Sequence, residues 1–255
     1  MNIKQGYASE AMKAFHFVEK HKLPQYNNIH EDMVVFGVYN DKDIEVISKH
    51  QGRVIVQWEG LDCKRYGHLE MFKRMDIVNV SPHFRIVDYF KTIGVKCHEV
   101  KWITDEKPKA QVLGDKVYAY VNKNAKEYYG GDIIENLRVK QHILIADYTV
   151  PMDVWKKGLN VVYYSQAFIS LQLSKFAGGG NSIVELGLRG VKVITNILRM
   201  PHCIPWEKPE DIERAIKEEA KHIGWRNIDL ADKVFAGLHD ANNNEGYDID
   251  KMLVK

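Results

Sequence analysis

The chain has 255 residues, 45% of them hydrophobic and 27% charged, with 36 Lys and Arg against 34 Asp and Glu for a net charge of +2. That composition belongs to a globular protein and excludes a disordered chain, a collagen-like repeat and a coiled-coil rod. The near balance of charge argues against a dedicated nucleic-acid binder, whose domain carries a basic face. No apolar run reaches the roughly 20 residues of a membrane helix. Met1 to Glu10 is polar and lacks the apolar core of a secretion signal, so a cytoplasmic location is expected. Cys63, Cys97 and Cys203 are odd in number and widely spaced, which predicts inert thiols. The 11 histidines show no metal-ligand spacing, so no metal site is expected.

A helix is predicted first, with Ser9 as N-cap and Ala11, Phe15 and Val18 at helical spacing up to Lys20. Pro24 and the Asn27-Asn28 pair end it. Met33 to Tyr39 is an almost wholly apolar run, as in a strand buried on both faces. A helix over Asp41 to His50 follows, then a strand over Arg53 to Trp58, a helix over His68 to Met75 and a strand over Asp76 to Val80. Ser81-Pro82 reads as a helix start, with the helix running to Thr92 and Gly94 stopping it. Val95 to Trp102 is the fourth strand. Thr104 to Gly114 is polar and carries Pro108, which predicts a linker.

The alternation then restarts. Strands are predicted at Lys116 to Asn122, His142 to Asp147, Phe168 to Leu173 and Val191 to Asn196. Helices are predicted at Gly131 to Arg138, Asp153 to Lys157 and Ser182 to Arg189. Asn160 to Gln166 reads as either strand or helical turn. Charged amphipathic helices cover Glu207 to Ile223, opening with Pro209, and Asp229 to Leu238. A polar tail runs from Asn242 to Lys255. Two successive strand–helix alternations predict two Rossmann-like, doubly wound parallel sheets, one in residues 1–107 and one in 108–255.

The segment with the most chemical content is KFAGGGNSIVELGLRGVKVITN, Lys175 to Asn196. Gly178, Gly179 and Gly180 follow a strand, and Asn181 and Ser182 open a helix. Glycines let backbone approach a ligand closely, and a helix start offers unpaired N–H groups with partial positive charge. Together they suit a phosphate or diphosphate. The pattern is neither a Walker loop nor the G-x-G-x-x-G fingerprint. A tight strand-to-helix turn would need similar glycines. Glu185 lies three residues past Ser182, a spacing open to two readings: a capping box with Ser182, or a carboxylate placed to bind a ribose diol.

GGGNSIVELGLRGVKVIT resembles the donor-nucleotide motif of glycosyltransferases with the two-Rossmann-domain GT-B architecture. The specific match covers about 22 residues, and the alternation covers most of the chain. The resemblance implies that Gly178, Gly179, Gly180, Asn181 and Ser182 hold the donor diphosphate and that Glu185 binds the ribose. Lys123, Lys126 and Lys175 are candidates to neutralise the diphosphate. It implies a cleft between the two domains, with the terminal helices packing back on the first. The implied activity moves a sugar from a nucleoside diphosphate sugar to a glycan, lipid-linked or protein hydroxyl. No tightly bound cofactor or obligatory metal is implied, and no D-x-D metal site stands out. The pattern departs from the family at Ala177, where many retaining members carry an acid. A non-catalytic binding or assembly module and a sugar-nucleotide epimerase are the alternatives.

An inverting transfer needs a general base. Asp41, Asp62 and His83 each follow a predicted strand of the first half, where open α/β sheets bind ligands. Each also reads as an ordinary cap or turn residue. Tyr128, Tyr129, Tyr148, Tyr163 and Tyr164 are candidates to stack on sugar or base, or to serve as packing.

Overall fold

A computed structural model describes residues 3–10, 12–13, 17–20, 22–100, 107–146, 163–176 and 180–239. The chain divides into two compact units, one built on Met1–Asp105 and the other on Glu106–Lys175 with Gly179–Gly237.

In the first unit, β1 (Gln5–Ala8), β2 (Met33–Phe36), β3 (Val54–Gln57), β4 (Ile77–Ser81) and β5 (Cys97–Glu99) form one sheet in that order. All pairings are parallel, with Val34 beside Ile55 and Ile55 beside Val78. Every residue of β2, β3 and β4 is buried, which is why β2 reads as an apolar run and why Gln57, Asn79 and Ser81 lie inside as buried polar groups. Among the described residues, α1 (Phe17–Lys20), α2 (Asp41–Lys49), α3 (Asp62–Tyr66) and α4 (Phe84–Thr92) join them. Trp58 anchors the core, with its ring 4.9 Å from Phe72 and 5.2 Å from Phe90. Its indole N–H donates to Asn79 at 3.0 Å, so the one polar atom of the buried ring is satisfied.

Several local expectations change. The polar start of the chain is a strand, because Gln5–Ala8 pairs with β2 and takes its stability from that partner. Ser9 follows it in a turn, accepting from the N–H groups of Met12 and Lys13. Ala11 and Phe15 lie outside the described residues. In place of a helix over His68 to Met75 there is α3 and then a single 3-10 turn at Glu70–Lys73. Helix α4 begins at Phe84, because Ser81 stays in β4, where its hydroxyl donates to the Trp58 carbonyl at 2.8 Å. Gly94 ends that segment with φ +69°, a conformation that favours glycine.

In the second unit, β6 (Lys116–Tyr120), β7 (Ile143–Ala146), β8 (Ala167–Gln172), β9 (Lys192–Thr195) and β10 (Cys203–Ile204) form a sheet of order β10-β9-β8-β6-β7. It too is parallel throughout. Helices α5 (Gly131–Glu135), α6 (Gly180–Leu188), α7 (Pro209–Glu219) and α8 (Ile228–His239) belong to it. The short strand β10 was not expected. Residues 107–114, read as linker, pair along this unit. The N–H groups of Lys109 and Gln111 donate to the carbonyls of Leu188 and Arg189 at 2.8 and 3.0 Å, and Leu113 donates to Trp225 at 2.8 Å. Open carbonyls near the end of α6 thus find partners in an extended chain. The helix expected at Asp153 to Lys157 and the tail from Asn242 lie outside the described residues. Residues 163–165 form a helical turn before β8.

The two sheets differ in one respect that bears on function. In the first, successive strands always step in the same direction. In the second, β6 steps one way to β7, and β8 returns to the other side of β6. Such a reversal opens a crevice at the carboxyl ends of the strands on either side of it, where open α/β sheets bind ligands.

Candidate functional site at the switch point of the second sheet

The glycine run and the Lys123 turn follow the two strands, β8 and β6, that flank this reversal. Gly178 and Gly179, with Ala177, lie outside the described residues. Gly180 opens α6, so its first N–H groups belong to Gly180, Asn181 and Ser182 at the carboxyl end of β8. Ser182 is the third residue of the helix and not its cap, which sets aside the capping-box reading. Spacings of three and four residues place Ser182, Glu185 and Arg189 on one stripe, and all three are half-buried. Ile183, Val184, Leu186 and Leu188 are buried on the remaining faces.

The helix is held from two directions. His202 is fully buried, and its Nε2 lies 2.8 Å from the Ile183 carbonyl. Burial pushes its pKa down to about 4, so the ring is neutral at pH 7 and the proton sits on Nε2, where it can donate. The ring fits only because residue 187 is glycine: a Cβ there would stand 2.6 Å from Nε2 and Cε1. At the other end Gly190 stops the helix with φ +77°, its N–H donating to Gly187 at 2.9 Å and that of Val191 to Leu186 at 3.0 Å.

Beneath the polar stripe lie two buried tyrosines. Tyr118 of β6 and Tyr164 meet edge-to-face with centroids 5.2 Å apart. Burial, then the charge of Glu185, raises the hydroxyl pKa of Tyr118; burial, then Tyr118 and Glu185, raises that of Tyr164. Along β8, Ser170 and Gln172 alternate with Ile169 and Leu171, and Ser170 sits in register beside Tyr118. All are buried. The side-chain oxygens of Ser170, Ser174 and Tyr164 and both amide atoms of Gln172 lack a hydrogen-bond partner in the protein. Ser170, Gln172 and Ser174 thus form a line of unsatisfied polar groups that runs along β8 and just past its carboxyl end. Native interiors keep such groups few, and they gather where something other than packing is being served. The alternation in AFISLQLS carried this signal.

Of the lysines, Lys123 begins a 3-10 turn directly after β6. Lys175 ion-pairs with Glu127, and its N–H donates to the Tyr128 carbonyl at 2.9 Å, tying the exit of β8 to the loop after β6. Lys126 pairs with Glu135 at 2.5 Å and Asp132 at 3.4 Å. Tyr129 packs on Tyr120 and Tyr128, and Tyr148 lies outside the described residues.

In the first unit the order β2-β3-β4 sets Asp41, Asp62 and His83 after three adjacent strands. Asp41 is exposed in the first turn of α2, whose cap is Asn40. Asp62 is buried and accepts from the N–H groups of Val38 at 3.1 Å and Gly60 at 2.8 Å. Burial, outweighing these bonds, pushes its pKa up to about 6. His83 is fully buried, with its N–H donating to Ser81 Oγ at 3.1 Å. Sequence reasoning passed over Glu59, also buried at the end of β3 and bonded to the Gln57 amide. Burial pushes its pKa up to about 8. Its signal was the alternation of Gln57 and Glu59 at the end of an apolar strand. Among the described residues no group of His, Cys, Asp and Glu is arranged to hold a metal ion, and no helix is long and apolar enough to cross a membrane.

No protein-family model matches the chain. No curated protein matches it either. Among solved structures, that of TarM is similar with a TM-score of 0.52 and 11% identity, over 88% of this chain and 53% of TarM. This chain therefore spans about half the length of TarM. The "Glycosylation Associate Protein (Gap123) complex from Streptococcus agalactiae" gives a TM-score of 0.46 and 9% identity, over 96% of this chain and 58% of that one. The likeness to TarM and the two parallel sheets show the fold: a pair of Rossmann-like α/β sheets of the GT-B kind.

Proposed function

We propose that the chain is a glycosyltransferase that takes a sugar from a nucleoside diphosphate sugar and passes it to an acceptor hydroxyl. One observation carries the reading: the N-terminus of a nine-residue helix that opens at Gly180 and bears Ser182 and Glu185 stands at the switch point of a parallel sheet. There the N–H groups of α6 hold the diphosphate, and Glu185 accepts hydrogen bonds from the ribose. As the glycosidic bond breaks, negative charge grows on the departing diphosphate, and the fixed helix dipole stabilises it without reorganising. Lys123 and Lys175 add positive charge, Lys175 after release from Glu127. The general base is proposed among Asp41, Asp62 and His83; replacing the acting one should abolish transfer and leave nucleotide binding intact.

Calorimetric titration with UDP, GDP, ADP and CMP and their sugar conjugates tests the donor site. One diphosphate should bind saturably, and Glu185→Ala should weaken it by roughly tenfold or more, the worth of hydrogen bonds to a charged group. A folded protein that binds none of them refutes the reading. A second reading, a GT-B-like module that binds or assembles without catalysis, draws on Ala177 at the family's acidic position and on the ion pairs that engage Lys126 and Lys175. It predicts nucleotide binding at most, with no transfer.

A further inference from the structure

Tyr164 is clamped along most of its length. The Gln111 side-chain amide donates to its carbonyl. Its ring lies edge-on to Tyr118, and the Arg189 guanidinium stands 5.7 Å from the ring centroid. Arg189 follows the last residue of α6 one turn beyond Glu185, so the ring runs beneath the polar stripe that Glu185 belongs to. Its hydroxyl is fully buried and close enough to the side chains of Ser182 and Glu185 for both to act on its ionisation, yet it completes a well-formed hydrogen bond to neither. An unsatisfied buried hydroxyl destabilises a fold, and phenylalanine would pack as well without that cost. The oxygen therefore serves something other than stability.

We infer that Tyr164 is a positioning residue for Glu185: once a nucleotide occupies the N-terminus of α6, its hydroxyl donates to the Glu185 carboxylate and fixes which oxygen faces the ribose. The clamped ring supplies a donor that does not need to be ordered when ligand arrives, and the buried hydroxyl lies in a low-dielectric environment in which such a bond is strong. This rests on the donor-site reading of α6.

Tyr164→Phe removes the oxygen alone. Its melting temperature without ligand should equal or exceed that of the unaltered chain. Its dissociation constant for the diphosphate that the unaltered chain binds, from UDP, GDP and ADP, should rise about tenfold. In a Glu185→Gln background the same change should leave affinity unaltered, because the carboxylate it orients is gone. Equal affinity of Tyr164→Phe and the unaltered chain overturns the inference and leaves the donor site standing. A lower melting temperature with weaker binding also overturns it, since the hydroxyl would then be structural. If the unaltered chain binds none of the three, the donor-site reading fails and takes this inference with it.

Discussion

Gly187→Ala tests how α6 is held in place. In an isolated helix this change stabilises by about 1 kcal/mol, because glycine is the poorer helix former. Here the new Cβ would lie 2.6 Å from Nε2 and Cε1 of His202, closer than real Cβ contacts come. The imidazole is fully buried and anchored by its bond to the Ile183 carbonyl, so it cannot swing into solvent. Overpacking costs roughly 1–3 kcal/mol, and the lost hydrogen bond costs about 1 kcal/mol more. After the gain in propensity the net destabilisation is about 1–3 kcal/mol, or a midpoint lowered by roughly 3–10 °C. Thermal unfolding followed by circular dichroism measures it. The companion is His202→Ala, in which the ring is absent; Gly187→Ala should there be neutral or stabilising by up to about 1 kcal/mol. A Gly187→Ala variant that melts at or above the unaltered chain refutes the account.

Two buried groups set opposite limits on stability against pH. His202 has a folded pKa pushed down to about 4, against about 6.5 when unfolded. The unfolded chain therefore binds its proton first, and stability falls as pH drops from about 6.5 towards 4. His202→Gln should flatten that acid limb in urea titrations, and an unchanged limb would count against the buried neutral ring. Glu59 works in the other sense: its folded pKa is pushed up to about 8, so the folded state holds the proton more tightly and stability falls as pH rises from about 4.5 to 8. Glu59→Gln should be more stable than the unaltered chain at pH 8, by an amount on the order of a few kcal/mol, with little difference at pH 5. Equal urea midpoints at pH 8 would show that the carboxyl is not held protonated.

The elements that were legible in advance are those whose burial is lopsided in a periodic way. β2 read as an almost wholly apolar run because both faces are covered, and Gly94 read as a stop because it takes a backbone that other residues avoid. β1 was not legible, since QGYA has no strand signature of its own and is a strand only because β2 offers it a partner. The Asn40 cap, a reciprocal set of bonds with Lys42 and Asp43, and the retention of Ser81 in β4, through its bond to Trp58, turn on side-chain hydrogen bonds that local preference does not resolve. At the candidate site, Ser182 and Glu185 could be found from the glycines before them, Tyr164 stood among several candidate aromatics, and the alternation in AFISLQLS marked Gln172, whereas His202 carries no pattern that ties it to the motif.

The sequence by itself determined two strand–helix alternations, a glycine run leading into a helix, and the one-stripe spacing of Ser182, Glu185 and Arg189. These are local properties, set by backbone preference and by the period of the residues along one element. The tertiary structure alone decided the strand order of the second sheet, and with it the reversal that puts the start of α6 at a switch point. It also decided that a histidine ring would fill the space of a missing Cβ, and that two tyrosines would lie beneath Glu185. Those facts depend on which surfaces meet when apolar faces leave water, and no short stretch of chain encodes its distant neighbours.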